Sequence, residues 1–419
     1  FFCQADPEDD NTVYWESQYG NLNRLDLKTG SSAAIRPNAN NIVNHIKKEK
    51  YRFDWNAPVL ISPHNSKTLY YGGNRLFKSV DRGDTWRAIS EDLTNDPENN
   101  FTAIVSVDES PLKPGVVWAG SNDGNVWLTR DGGVTWDKLN NNIPGYPEKY
   151  WVKRIEASNH VEGRAYLVFD GHRNDDREPY IYATENYGET WTRINNNLPT
   201  GSVYVVREDY NNPDLLFAGT ENYVFVSLDR GTTWDKFDMG MPNVPIHDLY
   251  IHPREGDLIA GTHGRGAWIL DNITPLQQMT PDNLAKDICL FSIRPETDYD
   301  GGFDFPFITD KTFRMENPAE GSNIFYNLKN ETTDSVRIEI IDVTGSVLKT
   351  FRETGKKGLN KIYWDFKFDN PIREKVKTRT GTRTRTTRFA PPGEYLVRLT
   401  YGEEVQTKTM VIEEDPAGR

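Results

Sequence analysis

Four carboxylates and a set of aromatic, cationic and amide side chains occupy predicted turns where they could meet a ligand. The carboxylates are Asp54, Asp123, Asp175 and Asp176. A pair of carboxylates on either side of a bound sugar is the usual equipment for cleaving a glycosidic bond. The candidate ligand-binding residues are Trp55, Arg75, Asn122, Asp123, Tyr150, Trp151, His172, Arg173, Tyr223, His263 and Arg265. Each of them also has a simpler interpretation as an ordinary turn or rim residue.

The chemistry of this set favours recognition. Aromatic rings can stack on sugar rings or on peptide side chains. Arg75, Arg173 and Arg265 together could hold a carboxylate or a sulfate group. Asp123, Asp175 and Asp176 could act as acid and base or hold a cation.

The segment HRNDDRE, residues 172–178, is the longest of these turns and contains three carboxylates within four positions. Its spacing does not match an EF-hand calcium loop, and local ion pairs with Arg173 and Arg177 explain it equally well. Paired CxxC and HExxH motifs are absent from the sequence. We therefore predict no cofactor and no dedicated metal site, with calcium at this segment as the alternative.

One motif, which must set the positions of these turns, recurs four times along the chain. It reads SVDRGDTW (79–86), TRDGGVTW (129–136), TENYGETW (184–191) and SLDRGTTW (227–234). Repeats of roughly 40–50 residues with short β-rich runs between turn residues predict the four-stranded blades of a β-propeller. The motif residues are predicted to be structural: Asp81, Trp86, Asp131, Trp136, Asn186, Trp191, Asp229 and Trp234.

The fold class expected from this pattern is all-β, with the propeller followed by a small β-sandwich. About six blades are visible, and six to seven are expected in the ring. The unit at 11–30 shows two strands, and the last unit ends near Asp271. An open ring would expose unpaired strand edges. We therefore expect residues 1–56, a further propeller segment or another chain to close the ring.

The rest of the chain divides into two predicted parts. Residues 272–320 form a Pro- and Asp-rich connector with a short helix, for which Thr280 and Pro281 are the start signal. Residues 321–419 contain alternating runs typical of a small β-sandwich. The basic run at 375–388 is predicted to be a solvated hairpin loop, with binding of nucleic acid or an anionic glycan as the alternative.

Composition excludes several classes of function. The net charge of −13 argues against general nucleic-acid binding, and no apolar run is long enough to span a membrane. Aromatic residues make up 12% of the chain, which favours a folded protein over a disordered one.

The four repeated motifs resemble the Asp-boxes, or bacterial neuraminidase repeats, of one class of propellers. Families with such boxes include sialidases, tandem-propeller glycosidases that cleave xyloglucan, photosystem II assembly factors and sortilin-type receptors. The segments 56–86, 169–191 and 259–271 resemble large bacterial secreted proteins described as sortilin-like or glycosyl-hydrolase-like. The pattern GLNKIYWDF with PPGEYLVRL resembles the immunoglobulin-like domain of flagellar hook-cap proteins.

The resemblance implies a bacterial protein outside the cytoplasm, either extracellular, at the cell surface or periplasmic. Catalysis is not implied, because the arginine triad and the Tyr–Glu pair expected of a sialidase are missing. Tandem-propeller glycosidases draw their carboxylates from two propellers.

The sequence therefore favours an interaction protein that binds a protein or a glycan on the propeller face opposite the boxes. A glycoside hydrolase is the alternative.

Overall fold

The computed structural model describes residues 2–47, 49–298, 321–333, 335–378 and 381–415, with the backbone alone at 354 and 372–385. Contacts within the chain divide it into two units, Phe1–Asp271 and Asn272–Arg419. Both units consist mainly of β-sheet, so the prediction of an all-β propeller protein is confirmed. No helix in these ranges is both long and apolar enough to cross a lipid bilayer.

The first unit contains six consecutive antiparallel sheets, which we call blades one to six. Blade one has β1 (Cys3–Asp6), β2 (Asp9–Ser17), β3 (Asn21–Asp26) and β4 (Ser32–Ala34). Blade two has β5 (Val59–Ile61), β6 (Leu69–Gly72), β7 (Leu76–Ser79) and β8 (Arg87–Ala88). Blade three has β9 (Ile104–Glu109), β10 (Val117–Ser121), β11 (Val126–Thr129) and β12 (Asp137–Lys138).

The remaining blades follow the same order along the chain. Blade four has β13 (Trp151–Ala157), β14 (Ala165–Asp170), β15 (Tyr180–Thr184) and β16 (Thr192–Arg193). Blade five has β17 (Val203–Glu208), β18 (Leu216–Thr220), β19 (Val224–Ser227) and β20 (Asp235–Phe237). Blade six has β21 (Ile246–Ile251), β22 (Leu258–Thr262) and β23 (Ala267–Leu270).

In blades two to five the second strand is mostly apolar and is covered on both faces. Every residue of β6, β10, β14 and β18 is buried. Strand β22 of blade six is only partly buried, and its neighbours Tyr250 and Ile269 are 53% and 60% exposed. The flank of blade six is therefore open.

The N-terminal segment forms a blade of its own. The sequence suggested only two strands there, because β1 is short and polar and gives no hydrophobic pattern. Among the described residues, none from this segment adds a strand to the three-stranded blade six. Closure of the ring by a further segment or another chain stays a prediction.

The four repeated turns share one hydrogen-bonding scheme. In the turn between β7 and β8, the Asp81 carboxylate accepts the Thr85 backbone N–H at 2.9 Å and its hydroxyl at 2.6 Å. Asp131 and Asp229 make the same two bonds, and Asn186 accepts the Thr190 N–H at 3.0 Å. The bonds from Thr135 lower the pKa of Asp131 to about 2. The side chains are thus used to fix the turn.

Each repeated turn also packs on the blade before it. The indole N–H of Trp86 donates to the Ile35 carbonyl at 2.7 Å, and Trp136 and Trp234 bond Ile89 and Ile194 in the same way. Trp191 instead packs edge-on against Trp118 at 6.0 Å between ring centroids. The turns therefore join consecutive blades at the propeller's outer edge.

Charged side chains join the first strands of blades four, five and six. The Arg207 guanidinium on β17 pairs with Glu156 on β13 and with Asp248 on β21 at 2.9 Å. It also donates to the Leu249 carbonyl at 2.6 Å. Arg154 contacts Asp248 at 2.8 Å. One arginine thus links three blades.

The second unit begins earlier than the predicted boundary at 321. It contains α1 (Thr274–Gln277), α2 (Pro281–Ala285), β24 (Ile288–Leu290), β25 (Glu296–Asp298), β26 (Ser322–Leu328), β27 (Ser335–Ile341), β28 (Val347–Thr354), β29 (Gly358–Trp364), β30 (Lys367–Thr378), β31 (Gly381–Phe389), β32 (Gly393–Tyr401) and β33 (Glu404–Glu414). Strands β24 and β25 lie in the predicted connector but pair with β26 and β33. Residues 299–320 lie outside the described residues.

Two sheets share one core in this unit, with strand orders β24-β26-β29 and β25-β33-β32-β27-β28. The predicted helix at Thr280 is present as α2, and the Thr280 hydroxyl accepts the Asn283 N–H. The basic run at 375–388 lies in the two-stranded hairpin β30–β31. The side chains of 375–385 within it lie outside the described residues.

Candidate functional site

A deep pocket of about 1370 Å³ lies in the first unit, at the end of the propeller away from the repeated turns. Turns between the second and third strands of a blade point to this end, because the repeated turns join the third and fourth strands. The pocket is lined by Tyr19, Asp54, Trp55, Asn56, Asn95, Asp96, Asn99, Phe101, Thr102, Asn122, Asp123, Asn125, Lys138, Asn140, Asn141, Tyr146, Glu148, Lys149, Trp151, Lys153, Asp170, His172, Arg173, Tyr204, Pro245, His247 and His263.

Eight of the residues singled out from the sequence lie together in this pocket: Asp54, Trp55, Asn122, Asp123, Trp151, His172, Arg173 and His263. Arg75, Tyr150, Asp175, Asp176, Tyr223 and Arg265 are not among the lining residues. The Arg75 guanidinium is buried and donates to Glu49 and to the Ser90 carbonyl. The three arginines are therefore not brought together in this pocket.

The 172–178 segment uses its carboxylates locally. Asp176 accepts the phenol hydroxyls of Tyr150 at 2.9 Å and Tyr180 at 2.7 Å. Glu178 contacts Arg193 at 3.4 Å. Across the described residues, no three His, Cys, Asp or Glu side chains meet in a metal-binding arrangement. Calcium binding by this segment stays an untested alternative.

Exposed aromatic rings form part of the pocket rim on the side of blades one to three. Tyr19 and Trp55 are 45% and 44% exposed and meet edge to face at 5.0 Å between ring centroids. Phe101 is 66% exposed. Below these rings the wall is rich in amides, which can both donate and accept hydrogen bonds. We call this half the aromatic–amide side.

The carboxylates on that side are held by neighbouring donors. Asp54 accepts the Asn56 N–H at 3.0 Å and the Asn122 side-chain amide at 2.9 Å, one on each oxygen. Asp123 accepts the Ser121 hydroxyl at 2.5 Å and the Asn95 N–H at 2.7 Å. Both side chains therefore act first as acceptors that shape the pocket wall.

The other half of the pocket, on blades four to six, carries cationic groups and imidazoles. The Arg173 guanidinium stacks on the Trp151 ring at 4.1 Å, and the Lys153 ammonium lies 5.5 Å from the Tyr204 ring centroid. Asp170 accepts from His172 Nδ1 at 2.7 Å. We call this half the basic side. It is defined by Lys153, His172, Arg173, His247 and His263.

Several pocket residues carry no motif that could have identified them. Lys153 and Tyr204 lie in the first strands of blades four and five, whose sequences are typical of buried strands. Asn95 and Phe101 lie in the connection between blades two and three. The bond from Asn95 to Asp123 joins positions 28 residues apart in sequence. Only the arrangement of the blades brings these residues to one cavity.

Glu16 is a buried residue that positions the aromatic rim. Its Oε1 accepts the N–H groups of Gly20 and Ala57, each at 3.4 Å, and so joins the segments that carry Tyr19 and Trp55. Burial, with a smaller contribution from nearby Asp54, raises the pKa of Glu16 to about 7. Because the folded state holds this proton more tightly than the unfolded state, Glu16 contributes stability at low pH that is lost as pH rises toward 7.

We expect Glu16→Gln to flatten the pH dependence of stability. In the parent protein the Glu16 contribution to the free energy of unfolding should fall by about 2 kcal/mol between pH 5 and pH 8. Urea denaturation at several pH values measures this. The exposed Glu98→Gln is the control and should leave the profile unchanged. An identical profile for Glu16→Gln and the parent would contradict the assignment.

One family model and several curated proteins match parts of this chain. The family model described as Sortilin-Vps10 (sortilin, neurotensin receptor 3) matches residues 179–281. The xyloglucanase Xgh74A of Acetivibrio thermocellus is 27% identical over 213 residues, which are 42% of this chain and 24% of the relative. A xyloglucanase of Hypocrea jecorina is 24% identical over 338 residues, which are 67% of this chain and 36% of the relative.

The chain is similar to sortilin-type proteins and to xyloglucanases. It spans about a quarter to a third of the length of these two curated relatives. Among solved structures, an ancestral GH74 enzyme aligns with 100% of this chain and 62% of its own, at 12% identity and a TM-score of 0.46.

Proposed function

We propose that this protein binds an oligosaccharide in the propeller pocket and acts as a recognition protein rather than as a hydrolase. The observation that carries the proposal is the pairing of exposed rings with an amide-rich wall. Tyr19, Trp55 and Phe101 offer apolar faces to a sugar ring. Asn56, Asn95, Asn99, Asn122 and Asn141 line the same cavity, and side-chain amides match the donors and acceptors of sugar hydroxyls.

The pocket dimensions suit a segment of a glycan chain. A volume of about 1370 Å³ exceeds the roughly 300–1,000 Å³ of a typical small-molecule site. Similarity to enzymes named for xyloglucan also supports a glycan ligand. A protein ligand is the competing choice, and the binding panel described below separates the two.

The carboxylates support binding over cleavage. A glycosidase needs one carboxyl group that stays protonated to donate to the leaving oxygen. Asp54 and Asp123 accept hydrogen bonds on both oxygens, and Asp170 accepts from His172. These bonds engage oxygens of all three carboxylates with donors of the protein itself. The proposed role therefore assigns them to the pocket wall.

A glycoside hydrolase is the second candidate, because both curated relatives described above are named xyloglucanases. In that case Asp54 and Asp123 would be the pair at the pocket, and product would be released from polysaccharide. Reducing-sugar release that disappears in a folded Asp123→Ala variant would replace the binding proposal with this one.

We propose an extracellular, cell-surface or periplasmic location, as is suited to a protein that meets glycans. An acidic chain rich in Asn, Thr and Tyr fits this setting. Detection of the protein by antibody on intact cells or in the medium tests the location.

Trp55→Ala should weaken oligosaccharide binding by at least about tenfold, because a buried aromatic contact contributes more than 1 kcal/mol at many binding sites. Isothermal titration calorimetry with xyloglucan heptasaccharide, cellohexaose and xylohexaose measures this. Tyr250→Ala is the matched control: Tyr250 is 53% exposed but lies on the blade-six flank. Absence of binding by the parent protein to any of the glycans would overturn the proposed function.

A further inference from the structure

The two halves of the pocket differ in charge. The basic side brings Lys153 of β13, His172 and Arg173 of the turn after β14, His247 of β21 and His263 of the turn after β22 to one wall. The His247 ring lies 4.8 Å from the Tyr204 ring and 5.2 Å from the His263 ring between centroids. Three blades thus contribute cationic or protonatable groups to one small area.

Few negative charges balance this wall. Asp170 is buried and is bound to His172 Nδ1 through both oxygens, each at 2.7 Å. Within the described residues, Lys153 has no carboxylate at ion-pair distance, and its ammonium group faces the Tyr204 ring instead. The Arg173 guanidinium carbon lies 4.1 Å from the centre of the Trp151 ring. Both full positive charges are therefore left without an ion-pair partner in the described residues.

Burial and neighbouring cations both lower the pKa values of two basic groups in this wall. Burial lowers the pKa of Lys153, and Arg154 and Arg173 lower it further, against Asp170 and Asp54, which raise it. Burial, together with the nearby Lys153, His263 and His172 and against Asp170, lowers the pKa of His247 to about 4. A bound anion would relieve this repulsion.

We propose that the basic side is a subsite for the carboxylate of an acidic sugar, a hexuronate residue of the bound glycan. This inference rests on the proposed function, since the same cavity holds the sugar chain. The aromatic–amide side would hold the neutral part of the chain, while Lys153, Arg173 and the imidazoles would face the carboxylate. A sugar carboxylate fits better than a free small anion because the basic side and the aromatic–amide side line one continuous pocket.

Two oligosaccharides of equal length and linkage test the subsite: cellohexaose and the β-1,4-linked hexaglucuronate, which differ in their C6 carboxylates. By calorimetry at 20 mM salt, the hexaglucuronate should bind at least about tenfold more tightly, and 200 mM salt should remove much of this preference. Equal affinity for the two sugars would overturn the subsite while leaving the proposed function intact. Failure of both sugars and of the neutral panel would overturn the proposed function itself.

Two substitutions on the basic side test which residues cause the preference for hexaglucuronate. Lys153→Met and the exposed His263→Gln should each reduce the preference for hexaglucuronate, and thermal melting confirms that they fold. Lys138→Met is the matched control, because Lys138 lines the same pocket but donates to Asn95 on the aromatic–amide side. A preference that persists in both basic-side variants, or that falls equally in Lys138→Met, would overturn the assignment. So would a short acidic peptide that binds as tightly as the hexaglucuronate.

Discussion

Replacing Arg207 by methionine is expected to lower the free energy of unfolding of the propeller by about 3–5 kcal/mol, because the change leaves the buried Glu156 carboxylate without its cation. The Glu156 side chain is only 7% exposed, and Arg207 supplies its ion pair. Arg207 also donates to the Leu249 carbonyl at 2.6 Å and to Asp248. Blades four, five and six would therefore lose the side chain that joins their first strands.

Urea denaturation followed by tryptophan fluorescence measures this loss. Arg254→Met is the matched control, since the Arg254 side chain is 83% exposed and pairs with its neighbour Glu255; its effect should stay within about 0.5 kcal/mol. The double variant Arg207→Met with Glu156→Gln should recover part of the stability, because no uncompensated charge remains. A loss below 1 kcal/mol for Arg207→Met would show that the ion pairs contribute little.

Gly133→Ala is expected to lower the free energy of unfolding by about 2–4 kcal/mol. Gly133 has a φ of +97°, where an L-residue is strained by about 1–2 kcal/mol. A Cβ at this position would also lie 2.6 Å from the Ile89 carbonyl oxygen of the preceding blade. That oxygen accepts the Trp136 indole N–H at 2.8 Å, so the methyl group would disturb the bond that joins the two blades.

The neighbouring glycine separates the two causes. Gly132 has a φ of +72° in the same turn, but a Cβ there meets nothing within 4 Å. Gly132→Ala should therefore cost only the backbone strain of about 1–2 kcal/mol. The same denaturation experiment compares them. Equal losses in the two variants would mean that contact with Ile89 carries no part of the effect.

The propeller could be predicted from sequence because its repeating unit is local. Each turn needs an acceptor, a glycine with positive φ and a threonine donor within a few residues, and Asp81 with Thr85 shows how those residues satisfy one another. The fully buried second strands follow from their continuous apolar runs. Strand β1 was missed because Cys3–Asp6 is short, polar and at the edge of its sheet.

The candidate site could be predicted only in part. Turn residues such as Trp55 and Asn122 were found because the blade pattern places those turns at one end. The predicted cluster of Arg75, Arg173 and Arg265 is not present in the pocket. Glu49 and the Ser90 carbonyl accept hydrogen bonds from the Arg75 guanidinium outside it. Glu16 could not be identified, since its importance lies in contacts to Gly20 and Ala57 across a blade boundary.

By itself the sequence determined the blade motif and the fold class, and it predicted the end of the propeller at which the pocket lies. Those properties follow from short-range hydrogen bonding and from the period of apolar residues. The tertiary structure decided which side chains share the pocket and which hydrogen bonds Asp54 and Asp123 accept there. It also placed Lys153, His247 and His263 in the lining of the same pocket. These arrangements depend on contacts between blades far apart in the chain, which no local pattern encodes.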